Sequence, residues 1–250
     1  AEEKGKIIIH HYIYDEKTNK YTTTKLVKDE EIKEKVGENY TTKVSTEIPE
    51  NYECINDKPE GYTGKATKET IEVSYYYKLK TPTVEGEGQG ETIEGGEQGE
   101  DGKWKIKAGE EIKYKAKYKT KIEDYKGRAT IEMTAQLPKG TKIDETRSNL
   151  NGGTYDAETN TITWEKEIEE INTFAHATEP TPNNNPDDTT NVGAISNRPH
   201  NEETTQKNNQ EGIYIDGTYT YEIEKEIIIV YAKDYELEDI GIKVEGKTTL

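Results

Sequence analysis

The stretch EEIKYKAKYKTKI, residues 110–122, alternates without interruption. Ile112, Tyr114, Ala116, Tyr118 and Ile122 fall on one side, and Lys113, Lys115, Lys117, Lys119 and Lys121 on the other. Successive side chains of a strand point to opposite faces, whereas a helix would scatter these lysines around its axis. The stretch therefore demands a sheet with one dry face and one wet face. RATIEMTAQL (128–137) repeats the pattern with Ala129, Ile131, Met133, Ala135 and Leu137 inward, and TITW and YTYEIEKEIIIVYA add further strands. The sum predicts a several-stranded antiparallel sandwich over residues 103–250. The outward row Glu222, Glu224 and Glu226 complements the lysine row if the two strands are neighbours, each exposed pair contributing about 0–1 kcal/mol.

The first third of the chain carries the same signal. KIIIHHYIY (6–14) packs β-branched and aromatic residues into the length of one strand, and DEKTNK reads as the turn after it. In TIEVSYYYKLK, Ile71, Val73, Tyr75, Tyr77 and Leu79 share one face and Glu72, Ser74, Tyr76 and Lys78 the other, predicting an antiparallel strand with one wet side. DEEIKEKVGENY fits either a short helix or a polar strand. With 18 Tyr against one Phe and two Trp, much of the apolar surface comes from tyrosine, which suits half-buried strands. The expected fold class is all-β.

Charge divides the chain further. Of the net −17, residues 81–102 hold −7 and residues 175–217 hold −5. TPTVEGEGQGETIEGGEQGEDG (81–102) has seven glycines, seven acidic residues and no Lys or Arg, and is expected to be a flexible, self-repelling linker between domains 1–80 and 103–250. Residues 175–217 are expected to form a long polar insertion in the second domain. No segment concentrates the positive field that neutralises phosphates, which argues against nucleic-acid binding. No apolar run is long enough to span a bilayer as a helix, and AEEKGK has no signal-peptide pattern. The expectation is a fragment of a longer chain, monomeric within it, whose targeting and anchor segments lie elsewhere.

Individual motifs carry little chemistry. LPKGT (137–141) nearly spells a sortase signal, but Thr and Gly are reversed and no apolar tail follows, so it is expected to be a strand-ending turn. His10 and His11 are adjacent and must point to opposite faces of a strand. His176 and His200, with Asp187 and Asp188, have no recognised metal-ligand spacing, and NNNPDDTTN lacks the calcium-loop register. Cys54, the only cysteine, allows no disulfide and has no nearby His to activate it. Hydrolase, zinc-protease, phosphate-loop and dinucleotide motifs are absent from the sequence. Neither a cofactor, nor a metal, nor an enzymatic activity is expected.

Two resemblances sharpen these expectations. KGKIIIHHYIYDEKTNKY, VGENYTTK, IPENYECINDKPEGYTGKAT and ETIEVSYYYKLK together resemble a mucin-binding-protein (MucBP-type) repeat over about residues 5–80. That resemblance implies a small β-grasp-like module. EIKYKAKYKTKIEDYKG, LPKGT, SNLNGGTYDAETNTITW, EIEEINTF and GTYTYEIEKEIIIVY resemble the Ig-like repeat modules of Gram-positive surface proteins, some of which form internal Lys–Asn or Lys–Asp isopeptide bonds. Here the closing segment 218–250 has no Asn and the lysines of 113–121 face outward, so such a bond would need an Asp partner such as Asp234 or Asp239. The resemblances imply an extracellular, cell-wall-associated adhesin or stalk module, its partner a host glycan, mucin or extracellular-matrix protein. Tyr12, Tyr14 and Tyr76 are the candidate ligand contacts, because an open sheet face would offer their rings as flat stacking surfaces. The competing expectations are a spacer without ligand and a carboxylate- or metal-dependent hydrolase.

Overall fold

The computed structural model describes residues 3–176 and 212–250, and these contain strands, turns and irregular segments but no helix. The fold is all-β. The chain divides into two compact units, Ala1–Thr81 and Pro82–Leu250. His200, Asp187, Asp188 and most of the 175–217 insertion lie outside the described residues.

The first unit contains β1 (Lys4–Asp15), β2 (Lys20–Lys25), β3 (Glu30–Lys35), β4 (Asn39–Thr41), β5 (Tyr52–Cys54), β6 (Thr63–Lys65) and β7 (Ile71–Leu79). Its main sheet runs β2-β1-β7-β5, and β3 pairs with the first half of β1. The segment that fitted either helix or strand is thus the polar strand β3. β1 and β7 are parallel, from Ile7 opposite Ile71 to Ile13 opposite Tyr77. The antiparallel expectation for β7 holds only toward its short neighbour β5; alternation reveals a face, not the direction of a partner. One side of this sheet buries Ile7, Ile9, Val73, Tyr75 and Tyr77 together with Tyr40 and Ala66. Leu79, expected inward, is 47% exposed at the strand end.

The second unit contains β8 (Thr83–Glu94), β9 (Glu97–Gln98), β10 (Trp104–Ile106), β11 (Glu111–Glu123), β12 (Lys126–Gln136), β13 (Thr154–Asp156), β14 (Thr161–Asn172), β15 (Ile213–Ile215), β16 (Thr218–Val230), β17 (Tyr235–Leu237) and β18 (Lys243–Thr249). Two four-stranded sheets, β15-β16-β11-β8 and β13-β14-β12-β18, contribute to one sandwich-like core, and β17-β10-β9 forms a small third sheet. The inward residues read from the alternations of β11 and β12 are all buried. Tyr114 and Tyr231 share a buried hydroxyl contact of 2.9 Å, and Tyr114 also donates to the Ile240 carbonyl at 2.6 Å. Burial pushes the Tyr114 phenol up to about 12, so both stay neutral hydrogen-bonding groups at physiological pH.

The acidic segment read as a linker is instead largely β8, hydrogen-bonded to β11 along its whole length. The physical reason is the period of its glycines. Gly86, Gly88 and Gly90 point inward, where β8 lies against β18: a Cβ on Gly88 would sit 2.3 Å from the Val244 carbonyl oxygen, and one on Gly86 2.1 Å from the Tyr118 hydroxyl. Glycine is required there for close approach and not for flexibility. The intervening Glu85, Glu87 and Glu91 stand opposite Lys121, Lys119 and Lys115, so their charge is met by the lysine row. A second acidic row, Glu222, Glu224 and Glu226 on β16, flanks the same lysines from the other side, with Lys117 Nζ 3.5 Å from Glu222 Oε2 and Lys115 Nζ 3.8 Å from Glu224 Oε1; on the β8 side Lys113 Nζ lies 3.3 Å from Glu94 Oε2.

Other local expectations resolve as turns. Leu137 is buried, Gly140 has φ 81°, and Thr141 Oγ1 donates to the Pro138 carbonyl at 2.6 Å, with Asn160 Nδ2 capping the same carbonyl. LPKGT is a pinned turn at a strand end. The last residues of the proposed insertion, Ile213–Ile215, form a hairpin with β16 through Asp216 (φ 51°) and Gly217 (φ 74°), the left-handed pair that a two-residue hairpin favours. Asp234 Oδ1 accepts from the Ala108 amide at 2.7 Å and Asp239 Oδ1 from the Gly241 amide at 2.7 Å; both are exposed loop braces. Among the described residues no lysine is buried, so neither aspartate meets the desolvated amine that an isopeptide bond requires.

Candidate functional site: the outer aromatic face of the first unit

β1 is central, with β2 and β3 on one flank and β7 on the other, so both of its faces are lined by neighbours. The alternation that sends Ile7, Ile9 and His11 inward sends His10, Tyr12 and Tyr14 outward. The parallel register then places Tyr76 beside Tyr12. The DEKTNK turn folds β2 back so that Tyr21 pairs with Tyr14.

The result is a continuous aromatic band. His10 stacks on Tyr12 (ring centroids 5.1 Å apart, planes at 11°), Tyr12 meets Tyr76 at 5.9 Å, Tyr76 meets Tyr21 edge-on at 4.6 Å, and Tyr21 meets Tyr14 edge-on at 5.1 Å. These separations fall in the favourable range for aromatic pairs. Tyr12, Tyr14 and Tyr76 are half-buried, while Tyr21 is 66% exposed and stands proud of the sheet. The three tyrosines expected from the sequence are thus brought together. Tyr21 and His10 complete the band and were missed; pairing the two strands across the DEKTNK turn would have found Tyr21, since it lies opposite Tyr14.

Polar groups border one end of the band. Lys25 Nζ lies 2.8 Å from Asp29 Oδ2, and His10 sits between Asp29 (Nδ1 to Oδ1, 3.1 Å) and Glu72 (Nε2 to Oε1, 3.3 Å). His10 Nδ1 and Asp29 Oδ1 are shielded from solvent, yet their angle does not complete a hydrogen bond. The Lys25 ammonium, with His10 beside it, holds the Asp29 carboxyl below the ordinary value of 3.8. Burial, then the Asp29 carboxylate, pushes the Tyr12 phenol up, so it remains neutral. The band therefore offers ring faces and phenol hydroxyls beside hydrogen-bonding carboxylates.

Behind the band, His11 is fully buried and ties β3 and β7, the two neighbours of its own strand, together. Its Nε2–H donates to Glu30 Oε2 at 2.7 Å, since the carboxylate can only accept, and its Nδ1 shares a 2.8 Å hydrogen bond with the Tyr77 hydroxyl. The adjacent histidines indeed face opposite ways. Tyr77 also accepts from the Ser45 amide at 3.3 Å, and Tyr75 shares a 2.7 Å hydrogen bond with Thr42. These bonds anchor the irregular segment 42–45 to the inner side of the sheet and fix the strands that carry the outer rings.

The remaining sequence candidates do not converge. Cys54 is part-buried, its thiol pushed up by burial, with Sγ 3.7 Å from Asn56 Oδ1. His176 stacks on Tyr214 of β15, with ring centroids 3.7 Å apart, in the second unit. Among the described residues, no group of three or more His, Cys, Asp or Glu side chains is arranged to hold a metal ion. Comparison of the chain with protein-family models, with curated proteins and with solved structures finds no match.

Proposed function

We propose that this chain is a non-catalytic module of a bacterial cell-surface protein, and that the outer aromatic face of its first unit is its recognition surface. The observation that carries this reading is the half-open band His10–Tyr12–Tyr76–Tyr21–Tyr14, with Tyr21 66% exposed at its crest. Ring faces of this kind stack on the apolar C–H faces of sugars, and the bordering carboxylates of Asp29 and Glu72 accept from hydroxyl groups. Host glycans, including those displayed on mucin, match that chemistry; an extracellular-matrix protein is the second partner class. The resemblances to a MucBP-type repeat and to an Ig-like surface module support the same reading, with the first unit as the β-grasp-like module and the second as the Ig-like sandwich.

Among the described residues, the carboxylates with a clear shift in titration all move in one direction. Asp15, Asp29, Glu31, Asp144 and Asp156 are all held below the ordinary carboxylate range, chiefly by Thr18, Lys25, Lys6, Thr146 and the Glu158 amide respectively. A general acid needs the opposite shift. The test is binding of the whole chain to a glycan array and to immobilised mucin. Saturable binding that falls in Tyr21→Ala and Tyr76→Ala supports the reading, and wild-type binding to neither surface leaves the spacer reading in its place.

A further inference from the structure

The order and direction of the terminal strands assign the two units different behaviour under tension. We infer that the first unit is a load-bearing clamp and the second the compliant element that opens first when the chain is pulled from its ends. This inference rests on strand topology and stands apart from any ligand of the aromatic face.

In the first unit, the opening strand β1 and the closing strand β7 are adjacent and parallel over seven consecutive residue pairs, Ile7–Ile71 to Ile13–Tyr77. The chain enters beside Lys4 and leaves after Leu79, at opposite ends of that pair. Tension therefore slides β1 along β7. The slanted, evenly spaced hydrogen bonds of a parallel ladder then share the load, and all must yield together. β3 grips the first half of β1 from its other side, from Lys4–Lys35 to Ile9–Glu30, and is sheared in the same movement. Beneath the ladder, the buried His11 bonds to Tyr77 on β7 and to Glu30 on β3, linking all three strands across the sliding surfaces.

The second unit has the opposite geometry. Its opening strand β8 lies against its closing strand β18 with Gly88 beside Val244 and Gly90 beside Ile242, so the two run antiparallel. Thr120 Oγ1 contacts both the Glu85 carbonyl (3.1 Å) and Thr248 Oγ1 (2.7 Å), which places the entry at Thr83 and the exit at Thr249 at the same end. Tension pulls these two strands apart at that end. β8 then peels from β11 one hydrogen bond at a time, beginning at Thr83–Glu123. On its core-facing side Gly86, Gly88 and Gly90 carry no side chain and Val84 is already 39% exposed, so peeling withdraws little side-chain surface from the core.

Single-molecule stretching of the full chain through terminal handles tests the inference. Residues 82–250 release about twice the length of residues 1–81, at roughly 3.3–3.6 Å per residue, so the two events identify themselves. The long step is expected first, at the lower force. Direction is then varied in the full chain carrying Cys54→Ser: handles on Glu3→Cys and Lys80→Cys load β1 against β7 in shear, and handles on Lys17→Cys and Lys80→Cys pull both strands from the same end. The shear placement is expected to need a several-fold higher force, although folding stability is the same whichever pair of handles is pulled. A short step that comes first, or equal forces for the two placements, would overturn the inference.

Discussion

The two units each present a sheet face built on a period of two, yet the faces differ in what they leave unsatisfied. On β11 the outward row is five lysines, flanked by glutamates of β8 and β16 in register. Each charge has a neighbour of opposite sign, and such a ladder spends its recognition chemistry on itself. On β1 and β7 the outward row is aromatic; its rings touch one another but leave Tyr21 largely in solvent. Alternation thus creates a face in both places, and the kind of side chain decides whether that face closes the fold or remains available. The half-exposed rings of the first unit stay available, whereas the neutralised ladder of the second does not.

The largest effect should come from the glycine strand that brings one acidic row to the ladder. Gly88→Val would drive a side chain into the Val244 backbone, which cannot move aside like a flexible side chain, and is expected to cost about 3 kcal/mol of second-unit stability. Thermal unfolding should show that loss in the second unit alone. Next is the support behind the aromatic face: His11→Ala removes one buried and one part-buried hydrogen bond and leaves a cavity, an expected loss of about 2 kcal/mol in the first unit by denaturant titration. Changes on the face itself should spare stability and reduce binding. Tyr21→Ala and Tyr76→Ala are each expected to weaken ligand affinity roughly two- to tenfold, measured by titration calorimetry, corresponding to ~0.5–1.5 kcal/mol per aromatic contact.

Two smaller effects sharpen the contrast. Asp29 has its carboxyl pKa lowered in the folded state by Lys25, so its contribution to stability is complete above the ordinary value of 3.8 and is lost as pH falls through the lowered folded value. Asp29→Asn should flatten that part of the acid-unfolding profile, and an NMR titration of Asp29 should give a midpoint below 3.8. The smallest effect is expected from Lys117→Ala in the ladder, about 0–1 kcal/mol and shrinking with added salt, because its partner Glu222 is surface-exposed. A large loss there would mean that the ladder is more than a neutralised surface.

Much of this was legible in the chain because burial imposes a period on side chains. The inward sets of β11 and β12 follow from alternation alone, as do the opposed faces of His10 and His11. What alternation cannot supply is the partner. β7 looks antiparallel until its neighbour is known, since a strand's own pattern is the same for either direction. The segment 81–102 misled because Gly and Glu in bulk signify a solvated linker, yet Gly86, Gly88 and Gly90 recur at period two and mark a strand pressed against a neighbouring backbone. Counting composition hid that period. At the candidate face, Tyr12, Tyr14 and Tyr76 were visible as outward aromatics, whereas Tyr21 and the Asp29–His10–Glu72 border depend on a hairpin register and on contacts between residues up to 62 positions apart.

The most direct measurement is an NMR titration of the whole chain, with tyrosine rings isotope-labelled, against the glycan that binds best on the array. The ring signals of Tyr21, Tyr76, Tyr12 and Tyr14 are expected to shift together and saturably, while those of the buried Tyr114 and Tyr231 stay in place. Saturable binding with the outer rings unmoved would contradict recognition by the aromatic face and place it elsewhere on the chain.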